Sequence, residues 1–168
     1  MIFLLYTIHS VIASRIDYCG SLLIGAPKKM TDKLQRVLNS AARIVSNTRK
    51  FDRGLSHFRR SQLHWLDVVD GVLSRICVQM FRCLHTMAPE YLSTYCQPVS
   101  GISGRRHLRS ADRGHLDFPR VKLASYGGRS FAHASPSNRN SLPAHLRDNS
   151  LSLSSFKRHL KTFLFSFY

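Results

Sequence analysis

Residues 27–46 read PKKMTDKLQRVLNSAARIVS, and this stretch decides the fold class. Met30, Leu34, Val37, Leu38, Ala41 and Val45 recur at helical spacing and predict one apolar face. Pro27 suits a first helical turn, where a missing N–H costs nothing. Lys29, Lys33, Arg36 and Arg43, with Ser40 between the last two, follow steps of three and four, so they predict a basic stripe beside the apolar one. An amphipathic helix carrying a cationic edge is the element around which the rest is read.

Upstream, Ile8, Ile12, Ile16, Cys19 and Leu23 keep the same period and predict a helix that stops at Gly25 and Pro27. Downstream, Asn47 to Gly54 (NTRKFDRG) is polar and reads as a loop. A long helix is expected from Leu66 to Met87, with Leu66, Val69, Leu73, Ile76, Cys77, Met80, Leu84 and Met87 inward and Arg75 and Arg82 outward. Asp67 and Asp70 fall at its start, where carboxylates cap free N–H groups and meet the positive end of the dipole. Pro89 closes it, and PEYLSTY adds one turn.

From Ser100 to Gly128 the composition shifts to Gly, Ser and Arg, with short apolar runs such as HLDFP and VKLASY that predict one or two short strands. Pro136 makes any helix over Phe131 to Leu142 short or broken. Leu153, Phe156, Leu160, Phe163, Leu164 and Phe167 predict a final amphipathic helix with Lys157, Arg158 and Lys161 on its polar face and Ser152 as N-cap. The expected class is mainly α. Its parts are a helical region over 1–98, a basic irregular segment with short strands over 99–150, and a C-terminal amphipathic helix over 151–168.

The chain has 168 residues, and 25 Lys and Arg against 9 Asp and Glu leave it at +16. Such a charge repels itself unless a polyanion neutralises it. Nucleic acid fits, because each phosphate contacted releases a counterion whatever the base sequence. An anionic membrane surface is the rival. The first thirteen residues, MIFLLYTIHSVIA, lack the basic leader of a secretory signal, and Arg15 and Asp17 stop the apolar run short of a span. Cys19, Cys77, Cys83 and Cys96 are too sparse for a disulfide scaffold. An intracellular chain is therefore expected over a secreted one.

Two-metal chemistry needs carboxylates close enough to bridge ions about 4 Å apart, and no two acidic residues are adjacent here. Glu90 is the single glutamate. The phosphate-loop, dinucleotide and hydrolase-elbow motifs are absent. The nine histidines include no i, i+4 pair of the kind that holds zinc on a helix, and Cys77, Cys83, His85 and Cys96 match no common finger spacing. The sequence thus predicts neither catalytic residues nor a cofactor or metal. Its positive content is the basic surface: the stripe, its continuation through Arg49, Lys50, Arg53, Arg59 and Arg60, and a second cluster of Arg105, Arg106, Arg109 and Arg113. Tyr126 and Phe131 lie near that cluster as candidates for stacking on bases, although core packing suits Phe131 better.

The phrases SRIDYCGSLLIGAP, KLQRVLNSAARIV, LHWLDV, LHTMAPEYL, RHLRSAD, YGGRSFAHASP, NSLP and FKRHLKTFLF follow one another from Ser14 to Phe165. In that order they resemble the region downstream of the palm in jockey-like LINE (non-LTR) retrotransposon reverse transcriptases. The resemblance implies a thumb-like helical bundle that grips a template–primer duplex, with Leu34-Gln35-Arg36 and Ala41-Ala42-Arg43 on the thumb-like helix, then a segment taken to aid RNA binding. It implies RNA or DNA as partner. The palm aspartates are not among these residues, so the expected function is non-catalytic. Two positions depart from the family pattern. Arg139 stands where the family has Trp before NSLP, which should loosen an apolar anchor, and Gly71 lies inside the long helix at a cost of about 1 kcal/mol. These departures carry the alternative of a decayed remnant with no present role. The apolar N-terminus and Phe-rich C-terminal helix carry a weaker one, a basic protein of membrane surfaces.

Overall fold

The structure, a computed structural model, describes residues 7–18, 20–123 and 127–168. The chain is mainly α-helical, and no sheet forms among the described residues. Compactness divides it at Val72 and Leu73, inside the long helix and not near position 98: residues 1–72 with Phe167 and Tyr168 form one unit, and Leu73–Ser166 the other.

In the first unit the chain enters through a π-helical turn, His9–Ala13, an α-turn, Ser14–Asp17, and a 3-10 turn, Gly20–Leu23. The single helix expected there changes its winding from turn to turn, and Cys19 lies outside the described residues. Gly25 at φ +61° supplies the stop, a left-handed conformation in which a side chain costs energy.

Helix α1 runs Lys28–Ser46 from Pro27, and Asn47 ends it in the left-handed region at φ 53°, its N–H donating to the Arg43 carbonyl. The buried face is Thr31, Leu38, Ala41, Ala42 and Val45. Met30 and Val37, read as inward from sequence, are 51% and 47% exposed, and Ile44 joins them outside. The face is turned by about one residue because the polar pair Gln35 and Asn39 occupies part of the inner side, as their bonds below explain.

Helix α2, Leu55–Ser61, has no counterpart in the sequence reading. Leu55 and Arg59, one turn apart, are its buried residues. Helix α3 runs Val68–Leu84. Ile8, Leu38, Ala41, Ala42, Val45, Leu55, Trp65 and Val68 make the core of the first unit, with Ile12, Ile16, Leu34 and Phe58 packed against them. Along α3 the buried residues are Val68, Val72, Ile76, Cys77, Met80, Phe81 and Cys83, while Val69 and Met87 are exposed. Two adjacent faces are therefore buried, which a single stripe does not describe. Thr86, at φ 56°, ends the helix before Pro89 is reached, and the turn Glu90–Ser93 follows as expected.

In the second unit Met80, Cys83, Cys96 and Leu116 form a core, joined by Leu84, Ala88, Leu92 and Phe131. Phe81 and Phe156 stack at 4.6 Å. The short strands expected over residues 100–128 are absent among the described residues. Their place is taken by an isolated antiparallel bridge between Pro98 and Leu116, the 3-10 turn Val99–Gly101 and the helical turn Arg109–Asp112. Leu116 gets its bonds from a side chain instead of a second strand. Its N–H donates to Asn140 Oδ1 at 2.9 Å, and Asn140 Nδ2 donates back to its carbonyl at 2.8 Å. Helix α4, Phe131–Ser141, carries Pro136 yet is unbroken. Proline removes one N–H from the ladder, and its ring is buried against the rest of the unit. Helix α5, Leu153–Phe165, is capped by Ser152, whose side chain accepts from the Ser155 N–H, and buries Phe156, Leu160 and Leu164.

Candidate nucleic-acid interface

The orientation of α1 is set from its inner side. Gln35 Oε1 accepts the N–H of Val68 at 2.9 Å, satisfying a free donor at the start of α3. Gln35 Nε2 donates to Asn39 Oδ1 at 3.1 Å, and the same oxygen accepts from Arg59 Nη1. Arg59 Nη2 donates to one oxygen of Asp67 and Arg60 Nη2 to the other, the latter at 2.8 Å. Arg59 is 2% exposed. Burial holds its pKa below the usual arginine value, and Asp67 opposes that fall.

Three sequence readings change here. Asp67 is the counter-charge of two arginines, and the N–H of Val68 at the helix start is met by Gln35. Arg59 leaves the basic surface, because its guanidinium is buried against Asp67, while Arg60 stays partly exposed with its charge paired to Asp67 and its guanidinium 3.6 Å from the Tyr168 ring centroid. Asp70 does stand in the first turn of α3. Its carboxyl accepts from the Tyr168 hydroxyl, and burial, then the charge of Asp67, push its pKa up.

With Gln35 and Asn39 turned inward, Lys29, Lys33 and Arg36 stand exposed along the opposite side. Met30, Val37 and Ile44 each follow one position after Lys29, Arg36 and Arg43, so the outer face pairs a basic column with an apolar one. Arg43 is only partly exposed, and its buried Nε has no hydrogen-bond partner. It closes the stripe less openly than the other three.

The loop after α1 continues the charge. Arg49, Lys50 and Arg53 are exposed, and among the described residues no ion pair holds Lys29, Lys33, Arg36, Arg49 or Lys50. The loop is nonetheless a built turn: the Arg49 N–H donates to Asp52 Oδ2 at 2.7 Å, and the Asp52 N–H donates to the Arg49 carbonyl at 3.2 Å. Phe51 at its tip is 88% exposed, with Lys50 Nζ 5.4 Å from its ring centroid. This aromatic is hidden in sequence by the polar composition of its loop. The available signal was a lone phenylalanine inside a polar loop with cations on both sides.

No family model, curated protein or solved structure matches the chain. The geometry and the charge must carry the functional reading.

The second unit holds the other basic cluster. Arg106 and Arg109 are exposed, and Arg105 Nη1 pairs with Asp117 at 2.7 Å. Arg139 departs from what its sequence suggests. It is 7% exposed, and its guanidinium donates to the carbonyls of Gly114 at 2.8 Å and Arg147 at 3.0 Å and to Asn149 Oδ1 at 3.1 Å. It ties α4 to two loops through polar bonds where a loosened anchor was expected. Arg147 Nη1 in turn donates to the Arg113 carbonyl at 2.6 Å. His115 is held below its ordinary pKa by burial and then by Arg147, Arg113 and Arg139.

Of the two aromatics proposed for stacking, Phe131 packs in the core of the second unit, and Tyr126 lies outside the described residues. Among the described residues no group of three or more His, Cys, Asp or Glu could hold a metal ion. Burial pushes the Cys77 and Cys96 thiols up to about 12, which leaves them without thiolate at neutral pH. No described helix is long and apolar enough to cross a membrane.

Proposed function

We propose that the chain is a non-catalytic nucleic-acid-binding piece from the post-palm region of a retrotransposon RNA-directed DNA polymerase, gripping the phosphates of RNA or of an RNA–DNA duplex. The single observation that carries the reading is the row of exposed cations Lys29, Lys33 and Arg36, continued by Arg49 and Lys50, on a chain of net charge +16. Basic residues set on a rigid helix meet a polyphosphate without reordering, and the counterions they release drive association. The collinear phrases from Ser14 to Phe165 supply the family half of the reading.

The test is fluorescence anisotropy of a labelled RNA–DNA hybrid titrated with the full chain at several salt concentrations. The affinity is expected to fall steeply with salt, with a log–log slope of about −0.9 for each phosphate neutralised. Changing Lys29, Lys33 and Arg36 together to Gln should flatten that slope by about two to three units and leave thermal unfolding in place. Salt-independent binding, or none to RNA, DNA or hybrid, would overturn the proposal. Equal loss when three exposed cations elsewhere are changed would remove the helix stripe from it.

A further inference from the structure

An exposed hydrophobic side chain is ordinary on a protein surface when it stands alone. Phe51 stands among charges. Within five residues it has Arg49 and Lys50 before it and Arg53 after it, all exposed. At 88% it is the most exposed of the large hydrophobic side chains among the described residues. Nothing in the core of the first unit uses its ring.

The Asp52 carboxylate and the Arg49 carbonyl close the turn from both sides, and Gly54, at φ +89°, lets the chain swing directly into α2. Leu55 then anchors the exit in the core. The turn is tied at both ends, and the phenyl stands in water at a hydrophobic cost. A flat apolar ring flanked by cations is matched by a flat ring that carries a phosphate, as each nucleotide of a strand does. Bases stack on aromatic side chains whatever their identity, but only when they are not already stacked within a duplex.

We propose that Phe51 is a stacking platform for an unpaired base of a single-stranded nucleic acid, with Arg49, Lys50 and Arg53 taking the adjoining phosphates. The proposal rests on the nucleic-acid reading above and narrows it, because a duplex offers phosphates to the α1 stripe but no free base to Phe51. Apart from the Lys50 ammonium 5.4 Å from its centroid, the ring is outside the core of the first unit, so its removal should leave the fold intact.

The experiment measures binding of the full chain to a labelled oligouridylate strand, and to the same strand paired with oligoadenylate, for wild type, Phe51→Ala and Phe51→Trp. Phe51→Ala should weaken single-strand binding by roughly 5- to 150-fold, the loss expected from one base–aromatic stack. Its salt slope and its affinity for the duplex should match wild type. Phe51→Trp should keep the affinity, and its emission should be quenched as strand is added. Trp65, the single tryptophan of the native chain and 8% exposed, gives a constant background. Wild-type single-strand affinity in Phe51→Ala, or an equal loss on strand and duplex, sinks the stacking platform while leaving the phosphate grip standing. Failure of the wild-type chain to bind either probe at low salt sinks both.

Discussion

Arg59 in the first unit and Arg139 in the second are both buried arginines, 2% and 7% exposed, yet their charges are met by different means. Arg59 has a carboxylate, Asp67, together with the amide oxygen of Asn39. Arg139 has only the carbonyls of Gly114 and Arg147 and the amide of Asn149. Burial lowers the pKa of both, and Asp67 pulls Arg59 back up, while Arg147 lowers Arg139 further. In a chain with 9 acidic residues against 25 basic ones, carboxylates are scarce. The first unit spends one on its buried arginine, whereas the second meets its buried arginine with neutral oxygens and keeps Asp117 for the exposed Arg105.

That contrast is broken most sharply at Asp67. Asp67→Asn leaves a buried guanidinium without its counter-charge and should lower the stability seen in urea unfolding by about 3–5 kcal/mol. A loss under about 1 kcal/mol would mean that water reaches Arg59. The corresponding test of a neutral fastening is Asn140→Ala, which strips both bonds from the buried backbone of Leu116 and should cost about 2–3 kcal/mol. Arg139→Met should cost less, about 1–2 kcal/mol, because it removes a desolvated charge along with its bonds. If it proves as damaging as Asp67→Asn, the two arginines are equivalent and the contrast falls.

Smaller effects sharpen the picture. A methyl group at Gly71 would meet open space on α3, so Gly71→Ala should stabilise the chain by about 0.5–1 kcal/mol, read as a rise in the urea midpoint. The least effect is expected from His115. Its folded pKa lies below the ordinary 6.5, so the neutral ring is favoured by folding. That stability is complete above pH 6.5 and is lost as pH falls through the folded value. His115→Gln should flatten the acid limb of the stability profile, and an unchanged limb would mean that neither burial nor the arginines around it shift its titration.

The elements readable in the sequence were those whose signal is local. Helices α1, α3 and α5, the polar loop from Asn47 to Gly54, and the Ser152 cap all follow from periodicity or from one side chain at a terminus. Exposure of Lys29, Lys33 and Arg36 was legible in the same way. What failed was local evidence standing in for distant partners. Arg59 and Arg60 look like two more surface cations until α2 places them beside Asp67. The facing of α1 depends on a bond from Gln35 to a backbone group 33 residues away. Strand-like runs near Leu116 found an asparagine side chain 24 residues on in place of a second strand. Phe51 is not legible in the same way, because composition tells a loop from a helix but not which of its side chains stands in water.

By itself, then, the sequence determined a mainly helical chain of strong positive charge with a cationic edge on α1, since helical period and net charge are properties of neighbouring residues and of sums. Only the tertiary structure decided which cations remain free. A charge is withdrawn from the surface when a counter-charge from another part of the chain meets it where water is excluded, and that encounter exists only once the chain has folded.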